Sequence, residues 1–182
     1  MKEVEVKIKI ADASHIVESL TALGCAFGEP IAQRDIVYIP DGVPTVPCPA
    51  GTNVLRIRLQ GGRKFFTLKR SDPGNHLSKL EHELEISDDK QMDEIIKLLG
   101  FKIVADTVKM RQKCEINGYE ICVDRVNELG DFLEMEKMTD GDPVKAQQEM
   151  LEYLLGLGID ASMRMDAGYD VLYVQKYGNA KI

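Results

Sequence analysis

Charged residues recur at every second position along several stretches of this chain. They are Glu3, Glu5, Lys7 and Lys9; Arg56 and Arg58; Glu81, Glu83 and Glu85; Lys109, Arg111 and Lys113; Glu134 and Glu136, with Lys69 and Asp124 standing singly. A spacing of two is the period of a β-strand, which sends alternate side chains to opposite faces. Each row therefore shares one face of its strand. The intervening positions, such as Val4, Val6 and Ile8 or Leu55 and Ile57, share the other. What such rows can do depends on where they meet. Two unit charges about 4 Å apart interact by roughly 4 kcal/mol at an effective dielectric of 20. Carboxylates gathered in an interior would repel one another or take up protons. Hard divalent cations such as Mg²⁺ or Mn²⁺ prefer carboxylate oxygens and remove that conflict. The Arg and Lys rows then need anions of their own. A ligand with several phosphates, met by metal on one side and by cations on the other, satisfies both.

The elements that would position these residues are legible. Val54–Gln60 meets Arg63–Lys69 across Gly61-Gly62, and Val108–Ile116 meets Tyr119–Val126 across Asn117-Gly118. Two-residue turns of this composition make tight hairpins and set the register. Counting outward, Arg58 opposes Phe65, Arg56 opposes Thr67, and Arg111 opposes Asp124. The other faces carry Leu55, Ile57, Phe66 and Leu68 in one hairpin, and Met110, Ile121 and Val123 in the other. A loose repeat also runs through the chain: a Glu-x-Glu strand, a polar turn suited to N-capping, an amphipathic run and a Leu-Gly end. The first such run is expected to bury Ile16, Val17, Leu20 and Leu23, and the second Met92, Ile95, Ile96 and Leu99. The third passes through Leu151, Leu154 and Leu155 to Gly156-Leu157-Gly158. Residues 40–51, rich in proline, and residues 71–76 read as irregular loops, either plain connections or lids over a site. Two architectures follow from this pattern. Either a sheet packs one face on helices and leaves its charged face in water, or the sheet curls closed and the charged faces line its interior.

The bulk properties narrow the field. The chain has 182 residues and a formal net charge of −7, with a pI near 5.1. That is one good-sized domain with a large core, and a charge that disfavours nucleic acid or an anionic membrane as a general partner. No signal peptide or transmembrane run is recognisable. Cys25, Cys48, Cys114 and Cys122 form no C-x-x-C pair and are expected as small buried hydrophobes in a reducing cytosol.

With these residues in view, the chain resembles the CYTH superfamily, the triphosphate tunnel metalloenzymes, which includes class IV adenylyl cyclases, thiamine triphosphatases and inorganic triphosphatases. Glu3, Glu5 and Lys7 are similar to its N-terminal E-x-E-x-K. Gln33 to Tyr38 is similar to the segment after its first helix. Arg56-Ile57-Arg58 resembles its R-x-R strand, Thr67-Leu68-Lys69 its T-x-K strand, Glu81-His82-Glu83 its middle E-x-E, and Lys109-Met110-Arg111 its K-x-R strand. Leu129 to Glu136 resembles its L-G-x-F-x-E-x-E. One departure is Ala167-Gly168-Tyr169, which stands where many members have Ser-Tyr before a final strand.

The resemblance implies an α+β fold: a closed antiparallel eight-stranded β-tunnel with helices packed outside, as a single domain over residues 1–182. It implies Glu3, Glu5, Glu134 and Glu136 as ligands of Mg²⁺ or Mn²⁺, with Glu81 and Glu83 serving a second ion. Arg56, Arg58, Lys69, Lys109 and Arg111 would grip phosphate oxygens. Lys7 would contact phosphate or act as catalytic base, and Asp124 would orient Arg111 or bind metal through water. The substrate would be a small-molecule triphosphate: ATP, thiamine triphosphate or tripolyphosphate. Cyclisation of ATP to cyclic AMP and pyrophosphate is the first reading and triphosphate hydrolysis the alternative. A non-catalytic polyphosphate-binding module comes next, and a protein with merely solvated charged faces last. A homodimer is compatible with all of these. Tyr38, Phe65 and Tyr169 are the aromatic candidates for a base pocket.

Overall fold

Alternation and turn chemistry become strands where expected. The computed structural model describes residues 2–72 and 75–178, with the backbone alone at His76. Its strands are β1 (Lys2–Ile10), β2 (Ile31–Pro40), β3 (Asn53–Gln60), β4 (Arg63–Asp72), β5 (Asn75–Glu85), β6 (Phe101–Ile116), β7 (Tyr119–Val126), β8 (Gly130–Thr139) and the two-residue β9 (Arg164–Met165). The helices are α1 (Ala13–Ala22), α2 (Asp89–Leu98), α3 (Pro143–Gly156) and α4 (Tyr169–Tyr177). The class is α+β, with antiparallel pairing in every register and the expected eight strands joined by the short β9. Among the described residues, no helix is long and apolar enough to cross a membrane.

The chain divides into two compact units, Met1–Ile31 with Lys109–Asp166, and Ala32–Val108 with Ala167–Ile182. In the first unit the strand order is β6-β7-β8-β1-β9. Val4, Val6, Ile8, Ile121, Leu133 and Met135 turn one face toward Leu20 of α1 and Ala146, Met150 and Leu154 of α3. The capping turns behave as their residues dictate, since the Asp12 carboxylate accepts from Ser14 N and Asp142 from Val144 N and Lys145 N. Gln147 of α3 donates to the Glu5 carbonyl at 2.9 Å, which fixes the helix over β1.

In the second unit the order is β5-β4-β3-β2-β6. Tyr38, Leu55 and Ile57 form its core under Ile96, with Met92, Phe66 and Leu68 packed around. The Asp88 side chain caps α2. Both hairpin registers follow the turn count: Arg58 opposes Phe65, Arg56 opposes Thr67, and Arg111 opposes Asp124. Asn117 at φ 51 and Gly118 at φ 78 supply the left-handed pair that such a turn requires.

Several expectations need correction. Leu23, Ile95 and Leu99 are exposed, not buried, and Met110 is also exposed on its hairpin's apolar side. Leu23 and Leu99 fall on the C-caps, just past the last helical residue. Ser71, Asp72, Asn75 and His76 belong to strands and not to an irregular loop, and residues 73–74 lie outside the described residues. The segment from Tyr169 is the helix α4, not a strand. Cys48 is only half-buried, while Cys25, Cys114 and Cys122 are buried thiols as expected.

Candidate functional site

The charged side chains of the first unit meet in cross-strand rows. Glu5 stands opposite Glu136, and Glu136 opposite Glu120; Lys7 stands opposite Glu134, and Glu134 opposite Cys122. Asp124 has no exposed surface. It accepts from Arg111 Nε at 2.7 Å and from Lys109 Nζ at 3.1 Å. Arg111 also donates to Glu134 and reaches Glu136 at 3.8 Å. Lys7 Nζ lies 3.1 Å from Glu5 and 3.0 Å from Glu134, and Lys113 pairs with Glu120 at 2.7 Å.

Burial works against every charge in this cluster, so partners decide the outcome. Burial pushes the Glu134 carboxyl up, but Lys7, Arg111 and Lys109 outweigh it and hold Glu134 well below the usual carboxylate range. Asp124 is lowered in the same way, burial being outweighed by Arg111 and Lys109. Glu136 goes the other way. Burial, only partly offset by Arg111 and reinforced by Glu134, Glu3 and Glu5, pushes it up to about 8. Cys122 is raised chiefly by burial, so its thiol stays protonated. Glu120, Cys122 and Glu136 each offer one ligand atom, and these atoms lie within 4.8 Å of one another. The row Glu5–Glu136–Glu120 thus sets three carboxyl groups side by side, and the middle one holds a proton to higher pH than a free glutamate. Its oxygen donors suit a hard divalent cation.

The second unit builds its own charged face. Thr67 stands opposite both Arg56 and Glu83, and Lys69 opposite Glu81. Arg56 Nη2 donates to Thr67 Oγ1 at 3.1 Å, Glu81 Oε1 at 3.2 Å and Glu83 Oε2 at 3.0 Å. The Thr67 hydroxyl donates to Glu83 at 2.9 Å, and Lys69 to Glu81 at 2.6 Å. Burial pushes Glu81 up, yet Lys69 and Arg56 outweigh it and hold its carboxyl down at about 2. Arg58 makes a two-pronged pair with Asp35, Nε to Oδ1 and Nη2 to Oδ2, both at 2.7 Å. Gln33 Nε2 donates to Gln60 Oε1 at 2.6 Å.

The structure thus gathers Glu5, Lys7, Lys109, Arg111, Asp124, Glu134 and Glu136 in one unit, with half-buried Glu3 within electrostatic range of Glu136. It gathers Arg56, Arg58, Lys69, Glu81 and Glu83 in the other. Glu85 instead pairs with Arg63 on the exposed surface. Tyr38 lies in the apolar core with its hydroxyl donated to Asp93, so it is not a base platform. Four participants escaped the sequence reading. Glu120 and Cys122 were reachable by counting back in twos from Asp124. Asp35 and Gln33 alternate on β2, but β2 has no short hairpin to β3 from which its register could be counted.

Comparison with known proteins accords with this arrangement. A family model described as the CYTH domain matches residues 1–169. A protein of Methanocaldococcus jannaschii named as a candidate adenylate cyclase is 36% identical over 163 residues, which are 87% of this chain and 91% of that protein. The solved structure of a conserved hypothetical protein from Pyrococcus furiosus superposes with a TM-score of 0.78 at 30% identity, covering 92% of this chain and 98% of that one. A candidate adenylyl cyclase from Hippeastrum, described as having a dominant triphosphatase activity, superposes with a TM-score of 0.60 at 15% identity over 97% of this chain and 95% of that one. At that identity the likeness shows the fold alone.

Proposed function

This chain belongs to the CYTH domain family, and we propose on that premise that it is a divalent-metal-dependent enzyme acting on a small-molecule triphosphate, converting ATP to cyclic AMP and pyrophosphate in the manner of a class IV adenylyl cyclase. The observation that carries the metal-and-polyanion reading is the Glu5–Glu136–Glu120 row. There a carboxyl is pushed up to about 8 by burial and by neighbouring carboxylates, a conflict that a cation removes. The name of the Methanocaldococcus relative supports the cyclase reading.

In this proposal Glu3, Glu5, Glu134 and Glu136 hold Mg²⁺ or Mn²⁺, and Glu81 and Glu83 serve a second ion. The metal supplies charge neutralisation at phosphate oxygens when bound. Arg56, Arg58, Lys69, Lys109, Arg111 and Lys7 take phosphate oxygens, so positive charge fixed in advance meets the charge that develops in phosphoryl transfer. Asp124, which receives both Lys109 and Arg111, is a positioning residue that keeps the two cations from swinging away. Cyclisation forms a bond from the ribose 3′-oxygen to the α-phosphorus and breaks the bond to pyrophosphate. Residues 1–182 act as one domain, in the cytoplasm. Hydrolysis of thiamine triphosphate, tripolyphosphate or a nucleoside triphosphate, which would use the same cation rows, is the second reading.

Incubation with ATP and Mg²⁺ or Mn²⁺, followed by separation of products, tests both. Cyclic AMP with pyrophosphate supports the cyclase, and ADP with phosphate the hydrolase. Turnover of tripolyphosphate with neither ATP product would sink the cyclase reading. Tight binding without turnover under either metal leaves a binding module.

A further inference from the structure

Among the described residues, two buried side-chain atoms have no hydrogen-bond partner, Gln33 Oε1 and Arg56 Nε. Both belong to the charged face of the second unit. Gln33 and Asp35 alternate on β2 opposite Gln60 and Arg58, while Arg56 stands opposite Val37. Arg56 Nε is a donor and suits a phosphate oxygen. Gln33 Oε1 is an acceptor, and an ionised phosphate chain offers acceptors only. Leaving a buried acceptor unmatched is costly, so its partner must bring an N–H or O–H group. Gln33 is only 2% exposed, and its Nε2 is anchored on Gln60 at 2.6 Å. That bond occupies the amide nitrogen and leaves the amide oxygen as the unmatched atom. Four residue steps on β2 separate the row of Gln33 from the row of Arg56, roughly 13 Å along the strands. The Asp35–Arg58 pair lies between them. A triphosphate centred at Arg56 would end before that point.

Resting on the function proposed above, we infer that Gln33 is a specificity residue that accepts a hydrogen bond from the organic part of the substrate. The substrate class is then a triphosphate ester whose organic part carries an amino or hydroxyl donor, a nucleoside triphosphate on the cyclase reading, and not bare tripolyphosphate. Gln60 is the positioning residue for this contact.

Calorimetric titration in Mg²⁺ of the wild type and Gln33→Leu with ATP and tripolyphosphate tests the inference. The ratio of ATP to tripolyphosphate affinity is expected to fall roughly five- to tenfold in the variant, the value of one hydrogen bond. Two analogues need no variant to fold: purine riboside triphosphate, without the amino group, and 2′-deoxy-ATP. The one lacking the bonded donor should bind the wild type weaker by a similar factor, and that difference should vanish in Gln33→Leu. An unchanged ratio in the variant, or no penalty for any analogue lacking an amino group or a 2′- or 3′-hydroxyl, overturns the assignment of Gln33 alone. A wild type that binds neither ATP nor tripolyphosphate overturns the proposed function as well.

Discussion

Arg111 and Asp124 face each other across the β6–β7 hairpin, Nε to Oδ1 at 2.7 Å, and Asp124 has no exposed surface. Lys109 reaches the same carboxylate, so one buried anion serves two buried cations. Removing one partner of such a group leaves uncompensated charge in a low-dielectric interior, at a cost of about 3–5 kcal/mol. Asp124→Ala should lose about that much in urea unfolding. A loss under about 1 kcal/mol would mean that the two cations find other support.

Glu136 stands between Glu5 and Glu120 in register and is the carboxylate that its surroundings leave least compensated. Glu136→Gln should therefore stabilise the metal-free protein at pH 8 by about 1 kcal/mol or more, roughly 2–4 °C in Tm for a chain of this size. The same change should reduce the stabilisation produced by Mg²⁺ or Mn²⁺. Thermal melts with chelator and with metal read both effects, and an undiminished metal response would remove Glu136 from the ligand set.

Stability should depend on pH in two senses. Glu136 is pushed up to about 8, mainly by burial, from the ordinary glutamate value of 4.5. Between those values the folded state binds more protons than the unfolded chain, so its contribution is lost as pH rises through that window. Glu81 is held down at about 2, where Lys69 and Arg56 outweigh burial. Its contribution is present above about 4.5 and lost as pH falls toward 2. In chelator, Tm should decline from pH 5 to pH 8.5, and added Mg²⁺ should flatten that decline. A Tm that rises steadily to pH 8.5 in chelator would contradict the assignment at Glu136.

Arg56 donates to Thr67, Glu81 and Glu83 through one nitrogen, while its Nε has no partner. A charged hydrogen bond to phosphate is worth about 1.5–3 kcal/mol. Arg56→Ala should then weaken tripolyphosphate binding roughly ten- to hundredfold by calorimetry. Binding within twofold of the wild type would exclude Arg56 from the phosphate contacts.

The helices offer a contrast in packing. Leu20 is fully buried against the first unit's sheet, whereas Leu99 is 67% exposed. Leu20→Ala should cost about 2–5 kcal/mol, and Leu99→Ala about 0.5 kcal/mol or less. Equal costs in chemical denaturation would show that Leu99 has a partner in solution.

How much was readable from the chain follows from the range of the forces involved. Alternation along β1 separated Glu5 and Lys7 from Val4 and Val6, and the Gly61-Gly62 and Asn117-Gly118 turns set Arg56 opposite Thr67 and Arg111 opposite Asp124. These are local matters of strand period and turn conformation, and they are written in adjacent residues. The structure alone decided partners and burial: that Arg58 pairs with Asp35, that Glu136 lies between Glu5 and Glu120, that Gln33 Oε1 is sealed off without a partner, and that Leu99 faces solvent. Those outcomes depend on strands and helices far apart in sequence arriving within a few ångströms. Coulomb energy and desolvation both vary steeply over that distance, and no spacing along one segment encodes it.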